Sequence, residues 1–430
     1  MNATVYQVPE EETLERGPLA ALQRRKFALM LQRVCASNSF YRAKFSQLTY
    51  NPLRDPLEAL PFTTRPEIEA DQAAHPPYGT NLTFPIERYS RLHQTSGTGG
   101  RPVRWLDTPE SWLWIQRCWR IIYAAAGVTA QDRFMFPFSF GPFIGFWAAF
   151  EGASAMGSLT LAAGGMTTTA RLQMALANSI TVIGCTPTYA LRMAEVAAAE
   201  HIDIANSSVR ALIVAGEPGG NIPGTRQRIE NAWNARVFDH TGMTEIGSLG
   251  FECHEVPGGV HLIESECIPE VIDPATGQLL PDGTPGELVL TNLGRWGSPL
   301  IRYRTGDRVT ITRQRCACGR WFARLEGGIQ GRIDDMVVVR GNNVFPSAIE
   351  AILREFAEIA EFQIEILEND TLSQVTLRVE PQRTASVDHL AARITHRLQD
   401  ALSFRAQVEM VAPDSLPRFE MKARRVIRRR

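Results

Sequence analysis

The chain is 430 residues long, with 44% hydrophobic and 21% charged residues, the composition of an ordinary globular protein too long for one compact core. Its formal net charge of −1 gives no overall attraction to nucleic acid or to an anionic membrane, so neither is expected as a partner. The seven cysteines are an odd number, and the first residues lack the basic flank and apolar core of a signal peptide. Reduced thiols or metal ligands in a cytoplasmic protein are therefore expected rather than disulfides.

Near the start, Phe27, Met30, Leu31 and Val34 fall at the spacing of one helix face. A short strand is expected at 88–92. Residues 134–150 are strongly apolar, but Pro137, Gly141, Pro142 and Gly145 interrupt them and they are too few for a membrane span. Strand-like runs at 133–136, 181–185, 211–215 and 235–239 then alternate with helical runs at 170–178, 189–200 and 225–232. That alternation predicts a largely parallel sheet with helices on its faces. Past Gly250 the texture changes to strands punctuated by Gly and Pro, such as 286–291 and 308–312, which predicts an antiparallel β subdomain. After Gly331 a third pattern reads helix 347–356, strands 362–367 and 374–380, helix 387–402 and strand 407–411. The expected fold class is α/β: a large N-terminal domain (1–331) of parallel-type sheets with helices plus the antiparallel subdomain, then a small α+β C-terminal domain (332–430).

Five segments carry the chemistry. Thr95-Ser-Gly-Thr-Gly-Gly-Arg-Pro102 leaves backbone N–H groups free to close around phosphate oxygens, with Thr, Ser and Arg adding donors and charge. It lacks the Gly-Lys-Ser/Thr ending of a Walker loop. Asp239-His-Thr-Gly-Met-Thr-Glu245 follows a strand end, where open α/β sheets bind ligands; Glu245 suits Mg²⁺ and Thr244 a phosphate oxygen. Just upstream, Gly216-Glu-Pro-Gly-Gly220 leaves another strand end and suits an adenine wall, or is a plain turn. In Tyr303-Arg-Thr-Gly-Asp307 a carboxylate after a tight Gly turn suits two ribose hydroxyls. Gly331-Arg-Ile-Asp-Asp-Met336 reads as a joint between domains, and Leu416-Pro-Arg-Phe-Glu-Met-Lys422 presents a lysine on a late loop. Such a lysine suits the charge of a transferring phosphoryl group.

In this order the segments resemble the adenylate-forming, acyl-CoA synthetase superfamily, and most of all the phenylacetate–coenzyme A ligase family, through Val344-Phe-Pro-Ser-Ala-Ile-Glu350 and Leu416-Pro-Arg418. The resemblance covers essentially the whole chain. It implies that a carboxylic acid is joined to ATP as an acyl-adenylate and then passed to coenzyme A. Thr95, Ser96, Gly97, Thr98 and Arg101 would hold the β- and γ-phosphates, Thr244 the α-phosphate and Glu245 the Mg²⁺. Asp307 would bind the ribose with Arg332 nearby, while Gly216, Glu217, Pro218, Asp239, His240 and Thr241 would line the rest of the nucleotide site. Lys422 would stabilise the adenylation transition state. The small domain would rotate about Asp334 and bring Gly341 to a pantetheine tunnel. Arg101 stands where a lysine is usual, Thr241 where many relatives have a tyrosine, and Met421 where a glycine precedes the lysine.

The family places its acyl site at Phe136, Phe138, Ser139, Phe140 and Gly141, and so many rings there favour a flat aromatic acid such as phenylacetate, benzoate or an aminobenzoate. Ser139 or His240 would hydrogen-bond a ring substituent. Cys316 and Cys318, with Cys253 and His261 upstream and His254 and Cys267 as spares, offer a Cys₃His set for a structural Zn²⁺; free buried cysteines are the alternative. The basic tail from Lys422 to Arg430 reads as a solvated terminus. An adenylating enzyme that loads a carrier-protein thiol and an inactive nucleotide-binding sensor stay open as alternatives, as does a homodimer.

Overall fold

The computed structural model describes residues 10–95, 102–339, 342–367, 374–383, 385, 387–402, 404–419 and 423–429. Ser96, Gly97, Thr98, Arg101, Gly341 and Lys422 lie outside them. Among the described residues the largest sheet has nine strands. Its parallel half follows the predicted alternation, with Arg133–Phe136, Val182–Cys185, Ala211–Val214 and Arg236–Met243 side by side in that order, and adds an unexpected edge strand, Leu159–Ala162, beside Arg133–Phe136. Two of the helices packed around the sheet start at a threonine cap followed by proline. Thr108 and Thr186 accept from Ser111 N and Tyr189 N at the heads of Pro109–Ala125 and Pro187–Ala199, each with proline in the first turn.

The segment after Gly250 departs from the predicted subdomain. Gly247–Phe251, Gly259–Leu262, Arg324–Glu326 and Ile311–Thr312 extend the large sheet antiparallel to its last parallel strand. A separate antiparallel sheet takes Cys267–Ile272, Gly286–Asn292, Tyr303–Val309 and Gly331–Arg332. Two further boundaries shift. The early strand is Arg91–Gln94, not 88–92, and the strand expected at 235–239 runs on to Met243 because its second half pairs with Gly247–Phe251.

Val337 to Ala406 form a hydrophobic cluster of their own. Around it Pro346–Leu353 and Leu390–Leu402 pack on a sheet ordered Gln407–Met410, Gln374–Pro381, Ile359–Leu367, Val426–Arg429. The last strand adds to the reading of the basic tail: Val426–Arg429 pairs parallel with Ile364–Leu367 at the sheet edge, and Arg428 and Arg429 stand exposed on it. No helix of the described residues is long and apolar enough to cross a membrane.

Candidate active site

Described parts of the predicted segments meet where the chain leaves the last parallel strand: Thr95 and Glu245 share a donor in Arg65, and Asp307 lies near enough to Glu245 to feel its charge. Thr244 and Glu245 occupy the tight connection between Arg236–Met243 and Gly247–Phe251. That connection is held from beneath by Arg295. Its guanidinium donates to both oxygens of Asp107 at 2.6 Å, to the carbonyl of Thr244 at 2.6 Å and to that of Glu245 at 3.1 Å. The Arg295 and Asp107 side chains are 0% exposed. Above it, Arg65 donates to Glu245 Oε1 at 3.2 Å and to Thr95 Oγ1 at 3.4 Å. Arg65 thus joins the carboxylate expected at the metal to the start of the glycine-rich loop. Burial raises the Glu245 carboxyl above its usual range against the pull of Arg65, Arg295 and Arg332. A buried carboxylate with one half-exposed arginine as its contact is a hard-oxygen donor that suits a divalent cation.

The Asp307 segment is not a turn but the middle of Tyr303–Val309. Glu287 and Val289 pair with Arg308 and Arg304, so the strand bulges between them, and Gly306 takes φ +73° there. The bulge turns Asp307 toward Arg332, whose Nη1 donates to Asp307 Oδ1 at 3.2 Å and to the Thr305 carbonyl at 2.7 Å while its Nε reaches Asp334 at 3.0 Å. Burial lifts the Asp307 carboxyl to about 6 even so. A narrow crevice runs from Asp307 to Thr241, Gly242 and Met243.

Beside it, Asp239 accepts from Asn221 Nδ2 and from the backbone N–H of His240. Burial and the neighbouring Glu252 charge push Asp239 up to about 7. The Asn221 Oδ1 atom is buried without a hydrogen-bond partner. Gly216 takes φ +93° and Pro218 is exposed, and the Glu217 carboxylate accepts from Thr188 N at 2.9 Å and from Ala423 N at 2.6 Å.

The expected acyl residues divide. Phe136 is interior, stacked on Phe134 with ring centroids 5.7 Å apart, and Ser139 is exposed. Phe138 and Phe140 join Phe146, Trp147 and Phe150 in a continuous set of ring contacts, which Gly141 anchors by accepting from Trp147 Nε1. His240 lies against Trp119, centroids 4.5 Å apart. Burial lowers His240 to about 4, so the ring is neutral, and its Nδ1 donates to the Gly250 carbonyl at 2.5 Å. Nε2 is then an acceptor, and it faces Gly242, where a Cβ would lie 3.4 Å from it. The Trp119 indole N–H is buried without a partner.

Cys253, His261, Cys316 and Cys318 come together with their ligand atoms all within 4.8 Å of one another. Cys253 Sγ lies 3.8 Å from Cys316 Sγ, and Cys318 Sγ lies 3.7 Å from His261 Nε2. The edge of a tetrahedron with metal–sulfur bonds of about 2.3 Å is close to these separations. His261 Nδ1 donates to the Phe322 carbonyl at 3.0 Å, which leaves Nε2 for the cluster. Burial works against the charged His261, but the thiols of Cys316 and Cys318 outweigh it and lift the ring to about 9. The two spares stand apart: Cys267 is buried with its Sγ on the Ile263 carbonyl, and the His254 side chain is largely exposed.

Comparison with known proteins agrees with this arrangement. Residues 91–294 match the model of the AMP-binding enzymes, and residues 341–430 that of the AMP-binding enzyme C-terminal domain. The phenylacetate–coenzyme A ligase of Thermus thermophilus is 31% identical over 98% of this chain and 99% of its own; that of Escherichia coli is 29% identical over 96% of each. A crystal structure of 2-hydroxyisobutyryl-CoA ligase in the postadenylation state, with its acyl-adenylate, superposes with a TM-score of 0.90 at 29% identity, covering 100% of this chain and 95% of that one. The same relative in the thioesterification state gives 0.74. The fold is that of an adenylate-forming enzyme. The chain belongs to the phenylacetate–coenzyme A ligase family and is an ATP-dependent, AMP-forming acid–CoA ligase.

Arg65, Arg295 and Asn221 lay outside the sequence reading. The doublet Thr63-Thr64 before Arg65 and the run Asn292–Ser298 show no pattern that separates them from ordinary surface arginines and turns.

Proposed function

We propose that the acid is aromatic and bears a hydrogen-bonding ring substituent, an aminobenzoate in preference to benzoate or phenylacetate. One observation carries this: the unpartnered Trp119 N–H and the acceptor Nε2 of His240 lie in adjacent, contacting rings. Phe138, Phe140, Phe146 and Trp147 supply a flat apolar surface, linked to Trp119 through the ring contacts of Tyr123, Phe134 and Phe136. A buried donor left unpaired, beside an acceptor ring nitrogen, favours a ligand that pairs it and disfavours the analogue that cannot.

In this reading Thr95, Ser96, Gly97, Thr98 and Arg101 hold the β- and γ-phosphates, and Thr244 the α-phosphate. Asp307 accepts both ribose hydroxyls with Arg332 holding its other side, and Asn221 Oδ1 with Asp239 accepts from the adenine amine. Glu245 would hold Mg²⁺, which neutralises phosphate charge when bound. The acid carboxylate attacks the α-phosphorus and pyrophosphate leaves; Lys422 stabilises the charge that develops. The domain after residue 331 then turns about Asp334, Gly341 lines the thiol channel, and coenzyme A thiolate displaces AMP. Cys253, His261, Cys316 and Cys318 would hold a structural Zn²⁺, and with four protein ligands that ion would have no open position for catalysis.

The test is pyrophosphate release with Mg-ATP over a panel of 2-aminobenzoate, benzoate, phenylacetate and fatty acids, with and without coenzyme A. The aminobenzoate should give the highest kcat/KM, with thioester formed only when coenzyme A is present. Equal kcat/KM for benzoate and aminobenzoate removes the role of Trp119 and His240; preference for a fatty acid removes the aromatic site.

A further inference from the structure

Glu217 was expected beside adenine, yet the structure commits both of its carboxylate oxygens to backbone. Oε1 accepts from Thr188 N at 2.9 Å, in the first turn of Pro187–Ala199, where N–H groups have no acceptor within the helix. Oε2 accepts from Ala423 N at 2.6 Å. Ala423 directly follows Lys422 and leads into the strand Val426–Arg429. The carboxylate therefore bridges the large sheet and the C-terminal segment that carries the lysine.

The surroundings reinforce that bridge. Arg425 donates to both oxygens of Glu361 at 2.7 and 3.0 Å and to Thr188 Oγ1 at 3.2 Å. Arg228 Nη1 donates to the Ile359 carbonyl at 3.1 Å. Gly224 packs so closely that a Cβ there would lie 2.2 Å from the Arg354 carbonyl oxygen. The Arg425–Thr188, Arg228–Ile359 and Gly224–Arg354 contacts join residues before 331 to residues after it, and none of the three survives a rotation that separates the two surfaces, while Glu361 holds Arg425 in place from its own side. The arrangement superposes more closely on the relative's postadenylation state, with a TM-score of 0.90, than on its thioesterification state, at 0.74.

We propose that Glu217 is a positioning residue, a latch that docks the Lys422 segment for adenylation and must release it before thioesterification. A carboxylate that accepts backbone N–H groups makes bonds roughly twice as strong as neutral ones, so one side chain biases the two orientations appreciably. The inference rests on the proposed role of Lys422, and it removes Glu217 from the set that touches ATP.

The experiment measures both half-reactions in the full-length enzyme, with 2-aminobenzoate or whichever panel acid the wild type converts fastest. Glu217→Gln keeps the volume but turns an amide N–H₂ toward one of the two donors; Glu217→Ala removes the acceptor altogether. In both, single-turnover pyrophosphate release should fall about ten-fold with the KM for ATP unchanged. Thioester formation from preloaded acyl-adenylate should proceed at the wild-type rate or faster. An equal fall in both half-reactions, an unchanged adenylation rate, or a rise in the KM for ATP alone overturns the latch. Lys422→Ala run in parallel separates the two claims. Normal adenylation by that variant removes the lysine's role, whereas an inactive Lys422→Ala beside unaffected Glu217 variants removes the latch alone.

Discussion

Replacing Arg295 by methionine tests whether the pair beneath Thr244 and Glu245 holds up both the fold and the site. The substitution keeps most of the side-chain length and removes the guanidinium, leaving Asp107 buried at 0% exposure with no arginine against it. The nearest other cation candidate is His93, whose Nδ1 is 3.9 Å from Asp107; burial holds that ring down at about 4, so it is neutral at pH 7. Removing one partner of such a pair costs about 3–5 kcal/mol. An unfolding entropy of about 2.1 cal/mol/K per residue makes that a fall in Tm of roughly 3–6 °C for a chain of this length. Removing both charges in Arg295→Met/Asp107→Leu should recover at least half of the loss, because no uncompensated carboxylate remains. The double variant should not recover adenylation, since the Thr244 and Glu245 carbonyls still lack the donors seen at 2.6 and 3.1 Å. Calorimetry gives the melting temperatures and pyrophosphate release gives the rate. A single variant that melts within about 1 °C of wild type, or a double variant no more stable than the single, refutes the reasoning.

Three further outcomes are expected. With Asp307 lifted to about 6 by burial, its carboxylate is present above that pH and is lost as pH falls through it. The KM for ATP should accordingly rise below pH 6, by about ten-fold per unit at the limit of a single titration, and Asp307→Asn should give a raised, pH-independent KM; a wild-type KM that is flat from pH 5 to 8 counts against the ribose role. Cys318→Ser should drop bound zinc from about one ion per chain to none by elemental analysis and lower the Tm; zinc-free wild-type protein of full stability refutes the metal reading. Arg65→Ala should slow adenylation about ten-fold, because Glu245 and Thr95 lose their shared donor, with little change in Tm; unchanged pyrophosphate release would show that Arg65 only caps a surface.

Much of the proposed site was legible because its residues sit in short segments whose composition already states the local geometry. A glycine-rich loop with hydroxyls, a carboxylate at a strand end and a lysine on a late loop each need only a few neighbouring residues. The Cys-Ala-Cys pair at 316–318 was legible in the same way, and the choice between His261 and its spares was not. His261 lies on Gly259–Leu262, which pairs with Arg324–Glu326 and so stands beside the cysteine turn, while His254 and Cys267 fall to other positions. The large sheet shows the same limit: alternation gave its parallel half, but nothing in the Gly/Pro-rich stretch said which strands would extend it and which would form a second sheet.

The sequence by itself determined the class of fold, the order of the phosphate, ribose and lysine segments, and the chemistry they imply, since each depends on spacing along the chain. Only the tertiary structure decided which ordinary charged residues hold those segments in place. Arg65 meets Glu245 across 180 residues, Arg295 meets Asp107 across 188, and Glu217 meets Ala423 across 206. The physical reason is that an arginine or glutamate has the same local signature whether it is solvated or buried against a partner. The distinction arises when packing removes water and leaves a charge or a backbone N–H with one acceptor in reach.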